Sequence, residues 1–96
     1  MAPDLMTAFA DALRKVERAI ASEMRTRAGE PARPRLEQLR EELLAARDGA
    51  ASGTPVDGAW VGRTVREVAG WAPESDVELL AGLGRIARAV GGPPRS

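Results

Sequence analysis

"DLMTAFADALRKVERAIASEMR" (residues 4–25) decides the fold class. Its large apolar residues, Met6, Phe9, Leu13, Val16, Ile20 and Met24, recur at spacings of 3, 4, 3, 4 and 4. That rhythm places them on one side of an α-helix, in a seam close to a heptad. Alanines fill the shoulders of the seam, and Asp11, Arg14, Lys15, Arg18, Ser22 and Arg25 occupy the remaining positions. Asp11 with Lys15 and Glu23 with Arg27 are favourable i,i+4 pairs on a solvated face. The pattern predicts a long helix over 4–27.

"AGEPARPR" (28–35) stops that helix with Gly29 and two prolines, and Pro34 suits the first turn of the next. Leu36, Leu39, Leu43 and Ala46 form the stripe of a second helix over 34–47, with Gly49 as its stop. A flexible loop is expected over 48–57. Asp57 can cap a third helix at about 58–71. "TVRE" (64–67) has capping-box spacing and offers a later start. Pro73 ends the third helix. "SDVE" (75–78) is a second capping box, opening a helix over 76–90 with Leu79, Leu80, Leu83, Ile86 and Val90 inward. Residues 91–96, with two glycines and two prolines, read as a frayed tail. The expectation is an all-α, four-helix-bundle-like domain spanning 1–96, without repeats.

Composition narrows the function classes. Of 96 residues, 18 are alanine and three are aromatic: Phe9, Trp60 and Trp71. A buried aromatic removes roughly 150–250 Å² from water, worth about 4–6 kcal/mol at the usual area coefficient. That rivals the net stability of a small domain, so core packing is the simplest role for the tryptophans. Thirteen arginines and one lysine balance fourteen acids, giving net charge +0. No global field therefore gathers nucleic acid or anionic lipid. The wealth of Ala, Gly, Pro and Arg matches a GC-rich bacterial coding bias. With no cysteine there is no disulfide framework. The N-terminal stretch lacks the basic flank and apolar run of a signal peptide, and no stretch suits a membrane span. Cytoplasmic residence is the default.

Enzyme chemistry is short of parts. Histidine, cysteine and tyrosine are all missing, which leaves carboxylates as the ordinary general bases. Ser22, Ser52, Ser75 and Ser96 have no histidine to activate them. Glu37 and Glu41 share a helix face, but the Glu-x-x-His partner of a carboxylate metal site is impossible here. Neither a metal nor a cofactor is expected. "GAWVGRT" (58–64) is a poor phosphate loop, with Arg63 where lysine belongs and no strand before it. "GLGRIA" (82–87) matches G-x-G-x-x-A, yet too little chain follows for a dinucleotide fold. Gly82 and Gly84 instead suit close approach between helices.

"TVREVAGWAPESDVELLAGLGRI" (64–86) resembles the general shape of a bacterial helix-turn-helix regulator. That resemblance implies DNA binding by residues 64–90, with Arg85 and Arg88 as phosphate contacts. The start of its second helix, which would enter the groove, carries Glu74, Asp76 and Glu78. Three carboxylates oppose a polyanion, so nucleic acid is the secondary reading.

The primary reading comes from "GAWVGRTVREVAGW" (58–71). Trp60 and Trp71 are eleven residues apart, almost three helical turns, and fall on one side of the helix. The adjacent stripe of Val61, Val65, Val68 and Ala72 competes for the core, which puts at least one indole at the margin. Arg63 can stack on Trp60, and Arg66 lies nearby. Tryptophan with arginine is the composition of binding hot spots. Trp60, Arg63, Arg66 and Trp71 are thus the candidate partner-binding residues. The first helix also looks much longer than the second. Part of the Phe9, Leu13, Val16, Ile20 and Met24 seam is therefore a candidate self-association surface. The function expected is a non-enzymatic interaction module: an adaptor, an accessory subunit, or a protein of the antitoxin, immunity, inhibitor or defence-accessory type. Its partner is another protein or a second copy.

Overall fold

The computed structural model describes residues 4–73 and 76–91. They form four helices: α1 (Leu5–Ala21), α2 (Arg33–Ala51), α3 (Gly58–Trp71) and α4 (Val77–Gly91). The architecture is an all-α bundle, as the periodicity predicts.

α1 is the central element. Asp4 caps it, its Oδ1 accepting the Met6 amide at 3.1 Å and its Oδ2 the Thr7 hydroxyl at 2.9 Å. The buried side of α1 is wider than the apolar seam, because Ala8, Ala12 and Ala19 are buried beside Phe9, Leu13, Val16 and Ile20. A wide face of this kind serves two neighbours, and α1 packs against both α2 and α4. Gly82 of α4 sits over Ala12, where a Cβ would stand 3.3 Å from both the Ala12 Cα and the Lys15 Cδ. The close approach expected of Gly82 is therefore present, whereas the Cβ position of Gly84 meets nothing within 4 Å.

α1 ends at Ala21, six residues short of the predicted 27. Glu23 takes the left-handed conformation, φ 56°. The Glu23 amide bonds Ile20 O at 3.1 Å and the Met24 amide bonds Ala19 O at 3.3 Å. This is a Schellman stop with a glutamate where glycine is usual, so composition gave no warning of it. Residues 25–31 then make a tight reversal, with the Thr26 amide on Glu30 O at 2.8 Å.

α2 runs from Arg33 to Ala51, four residues past the predicted end, with Leu36, Leu39 and Leu43 buried. Gly49 stays helical, and the stop comes at Gly53 (φ 96°), whose amide bonds Ala50 O while the Thr54 amide bonds Gly49 O. The loop expected over 48–57 shrinks to 52–57. At 17 and 19 residues, α1 is shorter than α2, so the surplus length that suggested an uncovered seam does not exist. Phe9, Leu13, Val16 and Ile20 are buried within the chain itself, and Met24, outside the helix, packs partly against them.

α3 takes the longer of its two predicted forms. Asp57 is the cap, its Oδ1 accepting the Ala59 amide at 3.0 Å. Thr64 is no helix start: it is buried in mid-helix, its hydroxyl donating to Trp60 O at 2.8 Å. α4 opens with Asp76 Oδ1 accepting the Leu79 amide at 3.3 Å. Ser75, the expected cap, lies outside the described residues, as does the tail beyond Gly91. Gly91 itself belongs to α4. α4 packs against both α1 and α3, so backbone neighbours run α2–α1–α4–α3. Side chains of α2 and α3 close the ring on its wider side.

Candidate partner-binding cleft between α2 and α3

No Cα of α2 comes within 8 Å of one in α3. Side chains alone bridge the gap, and they leave a cleft of about 400 Å³. Leu39 and Val68, 5% and 2% exposed, form its apolar floor. Arg35, Gln38 and Glu42 line the α2 side; Thr64, Glu67, Gly70 and Trp71 line the α3 side. The α2 residues fall at i, i+3 and i+7, one helical face.

Both tryptophans belong to this region and both are half-buried. Trp60 packs partly against the core and lines a small apolar gap with Leu43, Val61, Leu83 and Ile86. Its Nε1 donates to Glu42 Oε1 at 3.1 Å, and Gln38 Nε2 donates to the other carboxylate oxygen at 3.3 Å. Trp71 lines the far end, where the Arg35 guanidinium carbon lies 5.9 Å from the ring centroid. That is cation–π range. Of the expected stripe, Val61, Val68 and Ala72 take core positions, at 4%, 2% and 1% exposure, Val65 is half-buried, and the indoles sit at the core's margin.

Arg63 and Arg66 are on the exposed surface of α3 and do not line the cleft. Arg66 reaches back along its own helix toward Gly62. Among the described residues the arginine over an indole is Arg35 on Trp71, in place of the expected Arg63 on Trp60. Sequence reasoning missed Arg35, Gln38, Glu42 and Glu67. Their only signal was the 35/38/42 spacing beside the leucine stripe, which reads equally well as a solvated face.

A second charged cluster joins α1 to α4. Asp11 is 7% exposed, not on a solvated face. Its Oδ1 accepts Arg14 Nη2 at 2.7 Å. Its Oδ2 has no aligned hydrogen bond but faces Lys15 Nζ at 3.0 Å and Arg85 Nη1 at 3.6 Å. The Lys15 ammonium holds the Asp11 carboxyl below its ordinary range, opposed by burial and helped by Arg85 and Arg14. Arg85, like Arg88, is exposed on α4, with its guanidinium facing Asp11 at 3.6 Å.

Arg27 is a further residue the sequence did not mark. Its amide donates to Trp71 O at 2.9 Å and its Nε to Ala72 O at 3.0 Å. These bonds satisfy carbonyls at the end of α3 and fix the Trp71 end of the cleft. Among the described residues no group of three acidic, cysteine or histidine side chains is placed to hold a metal ion. Nor is any described helix long and apolar enough to cross a membrane. Compared with known protein families, curated proteins and solved structures, the chain shows no significant match.

Proposed function

We propose that this chain is a non-enzymatic protein–protein interaction module, a small adaptor or accessory subunit that docks on a larger protein through the α2–α3 cleft. One observation carries the reading. Two helices whose backbones never touch leave a cleft with buried Leu39 and Val68 beneath it, half-buried Trp71 in its wall, and half-buried Trp60 bonded to Glu42, one of its lining residues. A surface of that kind excludes water around an inserted anchor, which is where binding energy concentrates. The carboxylate nearest the indoles, Glu42, is engaged by Trp60 and Gln38, an arrangement suited to orienting a ring rather than moving a proton. Antitoxin, immunity, inhibitor and defence-accessory roles are all variants of this use. DNA readout by residues 64–90 has less behind it, since α4 is packed on both sides and Arg85 faces Asp11.

The test is capture from native lysate at mild salt, with nuclease, comparing tagged wild type with Trp71→Ala. Circular dichroism must first show that the variant folds. A stoichiometric protein recovered by wild type and lost by the variant supports the cleft. Equal recovery by both moves the interface elsewhere, and nuclease-sensitive DNA alone restores the helix-turn-helix.

A further inference from the structure

Resting on that reading, we infer the chemistry of the occupant: a short helical segment of a partner protein that carries two apolar residues one turn apart and a lysine or arginine one turn beyond them. The apolar requirement follows from the half-buried ring of Trp71, which lines the cleft with buried Leu39 and Val68 beneath it. The cationic requirement follows from charge. Glu42 is half-buried, and both its oxygens are taken by neutral donors, Trp60 Nε1 and Gln38 Nε2. Among the described residues no lysine or arginine nitrogen lies within 4 Å of it, or of Glu67 on the opposite wall. The one cation of the cleft, Arg35, is placed over Trp71 at the other end.

Along α2 the charge runs from Glu42 at one end to Arg35 at the other, and Glu67 adds a second negative charge from α3 between the two tryptophans. Glu42 and Arg35 are seven apart on one helix, about 10.5 Å at 1.5 Å per residue, which matches two turns of an incoming helix. Gly70 leaves open space on the α3 side, since nothing stands within 4 Å of where its Cβ would be. A helix backbone can approach closely there. An i/i+3 or i/i+4 apolar pair with a flanking cation is the form such anchors take in helix-in-groove recognition. Opposite charge across the rim sets orientation more than raw affinity.

A phage-displayed random 12-residue library panned on immobilised full-length protein tests this without assuming a partner. Clones are kept only if they fail to bind folded Trp71→Ala. One enriched peptide is then synthesised and titrated by fluorescence anisotropy against wild type and the Glu42→Gln/Glu67→Gln double variant. The glutamines preserve an acceptor for Trp60 and the shape of both side chains. The expected motif is apolar and basic, and the double variant should bind about tenfold more weakly, with a shallower salt dependence. Trp71-dependent peptides that are acidic, or that bind the double variant as well as wild type, overturn the charge assignment and leave the cleft standing. Failure to enrich any Trp71-dependent peptide overturns both.

Discussion

Exchanging the residues that stop α1 and α2 tests the backbone reasoning most directly. Both helices end in the same hydrogen-bonded motif, with Gly53 at the left-handed position of α2 and Glu23 at that of α1. A side chain with a Cβ in that conformation costs about 1–2 kcal/mol. Glycine avoids this cost but loses about 0.5–1 kcal/mol more chain entropy on folding. Glu23→Gly should therefore stabilise the protein by about 0.5–1 kcal/mol. Unfolding entropy near 60 °C is about 2.1 cal/mol/K per residue, or about 0.2 kcal/mol/K over 96 residues. The expected rise in Tm is about 2.5–5 °C, read by circular dichroism at 222 nm. Glu23 also places a negative charge at a helix C-terminus, an unfavourable contribution of about 0.3 kcal/mol. Glu23→Gln isolates that part and should raise Tm by only about 1–2 °C. Asparagine, tolerant of the conformation, should fall between glutamine and glycine. The reverse change, Gly53→Glu, should cost about 1 kcal/mol. If glutamine matches glycine, charge explains the gain and the backbone argument is wrong. If glycine lowers Tm, Glu23 is not left-handed and the end of α1 has been misread.

Asp11 links stability to pH: its carboxyl is held below the ordinary 3.8 when folded, so its stabilisation is complete above that value and disappears as pH falls through the lower folded one. Asp11→Asn should cost about 1–3 kcal/mol at pH 7, and urea titrations should show a smaller loss of stability between pH 4 and pH 2 than wild type. Gly84→Ala, at a helical position with open space, should stabilise by about 0.8 kcal/mol through helix propensity. Gly82→Leu must push α4 off Ala12 and should destabilise by about 1–3 kcal/mol, with thermal melts of the pair separating the two glycines. Arg27→Ala removes the side-chain bond to Ala72 O and should cost about 0.5–1 kcal/mol. It should also raise amide exchange at the last turn of α3, measured by NMR.

Local signals in the chain were sufficient wherever a helix is bounded by its own residues. Asp57 caps α3 and the valines fill its inner side, so the element was legible almost to the residue. The end of α1 was not, because a glutamate holds a conformation that sequence rules assign to glycine. Asp11 was misplaced for a different reason. Its i,i+4 partner Lys15 made a solvated pair the natural reading, while the contact that accompanies its burial, Arg85, comes from another helix. The cleft has the same character. Periodicity places Leu39 and Val68 inward, but it does not say that α2 and α3 face each other across the wider side of the ring. Their backbones stay more than 8 Å apart there, which leaves a gap. Residues from two distant stretches must then span it, and Glu42 does so by accepting a hydrogen bond from Trp60, eighteen positions on. The arginines beside the tryptophans in sequence, Arg63 and Arg66, are exposed on α3, and Arg66 reaches toward Gly62. Arg35, remote in sequence, is the one that reaches an indole. Residue type identified the right anchors, and topology chose their neighbours. A binding surface assembled from two helices is therefore better sought in the gap between their separated backbones than in the residues adjacent to a conspicuous aromatic.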